Sequence, residues 1–383
     1  MKNFQISKLL TIGIVIAIVL IGCATGNGPK SENTLKGALS DFFLVGVAMN
    51  TEQITGQDVT SINLIKNHFN SIVAENCMKS EVIQPKEGEF DFTLADQMVE
   101  FGIQHNLHMV GHTLIWHSQA PAWFFVDDKG NDVSREVLIE RMKTHILTVV
   151  GRYKGKIHGW DVVNEAIESN GEWRNSKFYQ IIGKEYVDLA FQFAYEADPD
   201  AELYYNDFGM AISGRRNGVI SMVKGLQERG VKIDGIGMQG HVHLNSPTIE
   251  DFETSIKAFS ELGLPVMITE MDITVLPSPS NEVTADVSLN VEFFPELNPY
   301  PDFLPDSVSN ALNNRYHDFF KLFLKHHDKI LRVTLWGVSD NQTWRNYWPV
   351  KGRTDYPLLF DRNYEPKSVV QTIIDEAKAL SKK

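Results

Sequence analysis

The chain predicts an α/β fold of the (β/α)₈ type, a TIM barrel in one large domain behind a lipoprotein-type leader. Eight short apolar runs alternate with amphipathic stretches from Phe42 to the C-terminus. Strands this apolar are buried on both faces, which suits parallel strands covered by helices. All the runs but the first end on polar residues, and in this barrel the strand ends gather on one face, where active sites form. A doubly wound open sheet would bring fewer strand ends to one place.

The elements follow in order. Residues 1–22 carry lysines at Lys2 and Lys8 and an apolar run from Leu9 to Gly22. A spanning helix needs roughly 20 apolar residues, so this shorter run reads as a signal peptide. Leu20-Ile21-Gly22-Cys23 resembles a bacterial lipobox, in which Cys23 is lipidated and becomes the first mature residue. A plain membrane anchor and an unlipidated secretory signal are the alternatives. The expected location is outside the cytoplasm, lipid-anchored to a bacterial membrane at the cell surface or the periplasmic face. Residues 23–38 are small and polar and read as a flexible tether. With lipid on Cys23, Cys77 has no partner for an internal disulfide, so the core alone holds the fold.

The barrel itself is expected over 39–383. Its strands are placed at "FFLVGVAM" (42–49), "SIVAENCMK" (71–79), "HMVGHTLIW" (108–116), "IHGWDVVNE" (157–165), "ELYYND" (202–207), "GIGMQGHV" (235–242), "PVMITEMD" (265–272) and "RVTLWGVSD" (332–340). Cys77 falls inside the second of these and reads as a small buried hydrophobe. Between the strands lie helical stretches such as "LIERMKTHILTVVGRY", "YVDLAFQFAYEA", "GVISMVKGLQERG" and "DFETSIKAFSELG". Several end in glycine, the residue a helix C-cap favours. The Pro-rich, acidic stretch 277–308 interrupts the last strand–helix unit and follows strand 7, beside the active face. Loops of that length are usually functional or disordered.

Composition narrows the partners. Of 383 residues, 43% are hydrophobic and 22% charged, an ordinary globular mixture long enough for one large barrel or two medium domains. A net charge of -13 without clustered Lys and Arg argues against nucleic acid. His241 and His243 share one face of an extended strand, but no further His and carboxylate set completes a zinc or di-metal site. No metal and no cofactor is expected, and the chain is expected to be a monomer.

The polar strand ends form a ring of Glu75, Asn76 and Lys79, His112, Asn164 and Glu165, Asn206 and Asp207, Gln239 and His241, Glu270 and Asp272, and Ser339 and Asp340. For any one of them a capping or supporting role is the alternative. Glu165 ends strand 4 in "GWDVVNEA", and Glu270 ends strand 7 in "ITEMDI", so the two can face each other over the barrel mouth. Two opposed carboxylates are the equipment of glycoside hydrolysis. One must be protonated to help the leaving oxygen depart; the other must be ionised, to attack the anomeric carbon or to activate water. Their separation, about 5–5.5 Å for retention and about 6.5–9.5 Å for inversion, decides which. Glu270 and Asp272, two apart on an extended strand, point to the same side.

Seven motifs in order carry a resemblance: "ENCMK" (75–79), "GHTLIWHSQAPAW" (111–123), "WDVVNEA" around Glu165, "LYYNDF" (203–208), "GIGMQGHVH" (235–243), "ITEMDI" around Glu270 and "TLWGVSDNQTWR" (334–345). Together they resemble glycoside hydrolase family 10, the endo-β-1,4-xylanases, from about Phe42 to the C-terminus. The resemblance implies a retaining enzyme that cuts xylan or xylo-oligosaccharides through a covalent glycosyl-enzyme, with Glu165 as acid/base and Glu270 as nucleophile. It implies that Asn164 holds the 2-hydroxyl of the sugar being cleaved and that His241 lies between Glu270 and Asp272, bonded to Glu270. By the same resemblance Lys79, His112, Gln239 and Trp336 line the subsite on the non-reducing side of the cut. Glu75, Asn76, Gln119 and Trp344 hold the next sugar out, Trp116 forms the floor near His112, and Tyr205 and Asn206 touch the leaving-group side. Glu165, facing the Glu270 anion, is expected to have a raised pKa for that reason. His117 and His243 read as supporting residues, and Trp123 and Trp160 as core.

Two other readings stay open. A barrel that also accepts β-1,4-glucans differs only in how tightly the bulk near Trp336 and Trp344 excludes a 5-hydroxymethyl group. A non-catalytic glycan-binding lipoprotein would have lost one of the two glutamates or their supports, whereas Glu165, Glu270, Asn164, His241 and Asp272 are all present.

Overall fold

The computed structural model describes residues 33–279 and 289–382, and at its centre eight parallel strands close into a ring. They are β1 (Leu44–Met49), β2 (Ser71–Ala74), β3 (His108–Trp116), β4 (Gly159–Asn164), β5 (Glu202–Asp207), β6 (Gly235–Met238), β7 (Val266–Thr274) and β8 (Ile330–Leu335). Each pairs with the next, and β1 pairs with β8 to complete the circle. Eight outer helices follow the strands in turn: α1 (Val59–His68), α2 (Thr93–Gln104), α3 (Arg135–Arg152), α4 (Glu185–Ala197), α5 (Ser213–Glu228), α6 (Ile249–Ser260), α7 (Asp306–Lys325) and α8 (Ser368–Ser381).

The strand alternation divides the core. Val45, Val47 and Met49 of β1 belong to the large cluster shared with the helices, whereas Ala48 joins Val73, Val110, Tyr204, Met267 and Trp336 in a second cluster inside the ring. Trp160 of "GWDVVNEA" is core, as expected. It packs on the bare backbone of Gly111 in β3, where a Cβ would fall 2.1 Å from the indole. The helices show the local signals that start and stop them. Thr248 caps α6 by accepting from the Asp251 amide at 3.0 Å. Phe252, Ile256 and Phe259 then make its buried stripe, with Phe252 edge-on to Phe319 of α7 at 5.1 Å between centroids. Gly230 and Gly263, at φ 71° and 77°, lie just past the ends of α5 and α6.

Several expectations are corrected. β2 is four residues long, because the chain turns at Glu75; Cys77 therefore lies in that turn and not in a strand. It is buried all the same, and burial pushes its thiol up to about 12. Lys79 is likewise off the strand, at the N-cap of the one-turn helix Ser80–Ile83. The run 235–242 breaks at Gly240 (φ 84°), so His241–His243 forms a separate short strand that pairs with the end of β7, His241 opposite Asp272. Residues 35–38 of the expected tether are a helix with Leu35 and Ala38 buried. The expected leader, Cys23 and the tether up to residue 32 lie outside the described residues, as do 280–288 of the insertion.

The described part of that insertion is tied down. Val291 donates its amide to the Pro349 carbonyl at 2.9 Å. Asn298 Oδ1 accepts from the Thr354 amide at 2.8 Å, and the Tyr300 carbonyl accepts from the Tyr356 hydroxyl at 3.0 Å. Its last residues, from Asp306, already belong to α7.

Candidate active site

Glu165 sits one residue past β4 with φ 59°, in the left-handed region that few non-glycine residues adopt. The consequence is functional. On a continued strand, Asn164 and Glu165 would face opposite sides; the turn instead brings both into one site, with Asn164 Nδ2 3.4 Å from Glu165 Oε1. The backbone is pinned there from three directions. The Glu165 amide donates to the Asn206 carbonyl at 2.9 Å, the Glu165 carbonyl accepts from Arg174 Nε at 2.8 Å, and the Ala166 amide donates to the Tyr205 hydroxyl at 2.9 Å. Such a strained residue persists only where its surroundings over-determine it.

The Glu165 carboxyl is 3% exposed and its pKa is raised to about 7. Burial is the main cause and the negative charge of Asp207 the second; the Gln239 amide, the Trp116 indole and the Arg174 charge pull the other way. The expected cause, the facing Glu270 anion, is not what sets this value. Oε1 accepts from Gln239 Nε2 at 3.0 Å, while Oε2 is buried with no hydrogen-bond partner among the described residues.

Glu270, on β7, is equally buried but shifted the opposite way. Burial alone would raise its pKa. The charge of His112, the hydrogen bond and charge of His241, and the Asn206 amide outweigh it and hold the carboxyl below its ordinary value. Oε1 accepts from Asn206 Nδ2 at 2.7 Å, and Oε2 lies 3.2 Å from His241 Nε2. The other face of that imidazole is 3.0 Å from Asp272 Oδ1. Burial works against a charged His241, but Asp272 and then Glu270 lift its pKa to about 9. Asp272 is itself held ionised: burial is overcome by Arg345, whose Nη2 donates to Oδ1 at 2.7 Å, and by His241. Trp344 Nε1 donates to Asp272 Oδ2 at 2.7 Å.

A cleft of about 290 Å³ opens over this pair. Fourteen of the residues singled out in the sequence can be placed against it. Glu75, Asn76, Lys79, His112, Trp116, Gln119, Asn164, Glu165, Gln239, His241, Glu270, Trp336 and Trp344 all line it, and Asp272 lies directly behind His241 and Trp344. Lys79 Nζ donates to Asn76 at 2.9 Å and to Gln119 at 2.8 Å, and burial lowers its pKa against the pull of four glutamates, Glu75 first. Gln119 also has a positive φ, 49°. Trp116 stands 6.5 Å from the His112 ring, and Trp336 meets that ring edge-on at 5.3 Å.

Tyr205 is a correction. It does not reach the cleft; it is fully buried, and its hydroxyl donates to Asp207 Oδ2 at 2.5 Å while accepting from Ala166. Asn206, expected on the leaving-group side, instead lies buried under Glu270 and joins it to Asn164 Oδ1 at 3.1 Å. Alternation along "LYYND" held that signal, since it sets Tyr205 and Asp207 on one side of the strand and Asn206 on the other. Arg345 was missed, although it adjoins Trp344 in "NQTWR". So was the His112–Asp161 contact, Nδ1 to Oδ2 at 2.9 Å, which the β3–β4 register puts directly opposite. Tyr347 and Trp348 also line the cleft, and no motif pointed to them.

One carboxyl kept protonated and one kept ionised, joined by amides beneath a tryptophan-walled cleft, meet the needs of acid-assisted cleavage of a glycosidic bond. On a parallel (β/α)₈ barrel they define a glycoside hydrolase. The chain belongs to glycosyl hydrolase family 10, whose family model matches residues 34–376. It is 51% identical over 345 residues to endo-1,4-beta-xylanase A of Xylanibacter ruminicola, covering 90% of this chain and 94% of that one. A solved GH10 endoxylanase retrieved from a sugarcane soil metagenome superposes with a TM-score of 0.86 at 44% identity, over 89% of this chain and 99% of the other. A mutant solved in complex with xylotriose superposes with a TM-score of 0.80 at 34% identity, over 89% and 99%.

Proposed function

We propose that the protein is a retaining endo-1,4-β-xylanase, which hydrolyses internal β-1,4-xylosidic bonds of xylan by double displacement. The observation that carries this reading is the opposite tuning of two buried carboxyls in one hydrogen-bonded site, Glu165 upward and Glu270 downward. The 51% identical relative named as an endo-1,4-beta-xylanase supports the substrate, as does the xylotriose bound by a structural neighbour.

In the first step a Glu270 oxygen attacks the anomeric carbon while the bond to the leaving oxygen breaks. Glu165 gives that oxygen its proton; Oε2 is the oxygen left without a partner to hold it back. The product is a glycosyl ester on Glu270. Glu165, now ionised, takes a proton from water, the water attacks the anomeric carbon, and Glu270 leaves as carboxylate. His241, held positive by Asp272 and Glu270, keeps Glu270 ionised at the start and stabilises it as it departs. Asn164 Oδ1 accepts from both Asn206 and Gln239, which fixes the amide and leaves a hydrogen of Nδ2 for the 2-hydroxyl of the sugar. Hydrogen bonds to that hydroxyl strengthen in the transition state and supply several kcal/mol. Lys79, His112, Gln239 and Trp336 bind the sugar being cleaved. Glu75, Asn76, Gln119 and Trp344 bind the next sugar towards the non-reducing end, and Trp116 supports the floor.

The test compares hydrolysis of an aryl β-xylobioside with that of an aryl β-cellobioside. A strong preference for the xylobioside is expected. Comparable rates would mean a broader β-1,4-glycanase, and retention on insoluble xylan without hydrolysis of either would mean a glycan-binding barrel.

The reading extends to location. Residues 1–22 act as a signal peptide, Cys23 carries lipid, and the protein is exported and anchored to a bacterial membrane. The support is the Lys2 and Lys8 charges, the apolar run to Gly22 and the Leu20–Cys23 motif. Cys23→Ala is expected to move the protein from the membrane fraction to the soluble fraction; wild-type protein already soluble in its host would sink the idea.

A further inference from the structure

The turn that carries Glu165 is tied, residue by residue, to side chains that take no part in the reaction described above. The Glu165 carbonyl accepts from Arg174 Nε at 2.8 Å, the Ala166 amide donates to the Tyr205 hydroxyl at 2.9 Å, and the Ile167 carbonyl accepts from Arg215 Nε at 2.9 Å. Tyr205 and Asp207, two apart on β5, share the face that looks away from Asn206. Both are fully buried, and the Tyr205 hydroxyl in turn donates to Asp207 Oδ2 at 2.5 Å. Asp207 Oδ1 accepts from the Phe208 amide at 2.9 Å. A chain of hydrogen bonds therefore runs from the Asp207 carboxylate, through one hydroxyl, to the backbone just past Glu165. A buried carboxylate is unfavourable unless it is paired or used. Arg215 is not in close contact with it: Nε stands 3.8 Å from Oδ1, and Nε and Nη1 donate to the Ile167 and Phe208 carbonyls. The charge of Asp207 is left to act on the turn above it.

We propose that Tyr205 and Asp207 are positioning residues for the acid/base: the hydroxyl holds the left-handed turn on which Glu165 stands, and the carboxylate sets the pH above which Glu165 no longer supplies a proton. The inference rests on the reading of Glu165 as acid/base. Charged groups reach the Glu165 carboxyl from several elements. Lys79, past β2, feels its charge, and Glu270 of β7, with His241 against it, lines the same cleft. Arg174 comes from the segment after β4 and Asp207 from β5. The Asn164 and Gln239 amides and the Trp116 indole face it too. Among the charges, that of Asp207 acts most strongly on Glu165, and it favours the protonated acid.

The experiment records kcat/KM against pH in the wild type, Asp207→Asn and Tyr205→Phe. Two substrates are compared, a phenyl β-xylobioside, whose leaving phenol needs a proton, and a dinitrophenyl β-xylobioside, whose leaving group does not. Asp207→Asn keeps the shape and removes the charge, so the alkaline limb with the phenyl substrate should move down by about one pH unit. Tyr205→Phe leaves the Ala166 amide without its acceptor and loosens the turn. It should lower kcat/KM roughly 10-fold on the phenyl substrate and less than about 2-fold on the dinitrophenyl one. A limb that stays in place in Asp207→Asn, or equal losses on both substrates in Tyr205→Phe, overturns the inference and leaves the xylanase reading standing. If Asp207→Asn does not fold, the two losses in Tyr205→Phe decide alone. An alkaline limb that survives in Glu165→Ala, or hydrolysis of neither xyloside by the wild type, removes the acid/base reading and the inference with it.

Discussion

Glu270→Ala is expected to lower kcat on xylan by roughly 10⁴-fold or more, with the protein still folded and still binding xylan. In the proposed reaction the carboxylate supplies the oxygen of the new bond, so its loss removes the covalent path and not merely a contact. The shape of the pocket left behind gives a sharper readout. With the carboxylate gone, a small anion such as azide can enter beside His241 and attack the anomeric carbon from the same side. A single displacement then takes a β-aryl xylobioside to the α-glycosyl azide. Formation of the β-azide, or activity within tenfold of the wild type, would remove Glu270 from the nucleophile's place.

The second large effect belongs to Glu165 and shows in the pH profile. Its pKa is raised to about 7, so the proton needed for the leaving oxygen is present below that pH and lost above it. Glu270 is shifted down, so the carboxylate needed for attack is present through the neutral range and lost only in acid. The profile of kcat/KM is therefore a bell whose alkaline limb reports Glu165. Glu165→Ala is expected to cost about 10²- to 10⁴-fold on xylan, whose leaving alcohol needs the proton. On a dinitrophenyl xylobioside, whose leaving group departs unaided, formation of the glycosyl-enzyme should suffer far less. The alkaline limb should vanish for that substrate. If it survives in Glu165→Ala, another group supplies the proton.

The reasons behind these two values differ in how far the sequence could reveal them. That Glu165 and Glu270 would meet at one cleft was legible, because a carboxylate at the end of a buried apolar run is costly unless it works or is paired. The family resemblance, resting on seven ordered motifs, then implied the roles proposed for them. Why Glu165 holds its proton was not legible. Burial in the closed fold raises its pKa first, and the charge that adds to it comes from Asp207 on the next strand, not from the glutamate across the cleft. Tyr205 misled for a related reason. A tyrosine beside an Asn-Asp pair looks like a hydroxyl offered to a sugar, but here that hydroxyl joins Asp207 to the backbone of the Glu165 turn.

What the sequence determined by itself is what depends on near neighbours along the chain. Apolar runs of strand length, amphipathic stretches closed by glycines such as Gly230 and Gly263, and polar residues at the run ends all follow from periodicity and local backbone preference. They suffice for the barrel and for the membership of the polar ring. The tertiary structure decided what depends on residues far apart in the chain. It set the left-handed turn that swings Glu165 beside Asn164, placed Asn206 under Glu270, and put Arg345 behind Asp272. It also tied the described part of the 277–308 insertion to Pro349 and Thr354, just past the cleft wall. The physical reason is that proton affinity and side-chain direction are set by burial and by the charges packed across the ring, and only the closed fold brings those groups together.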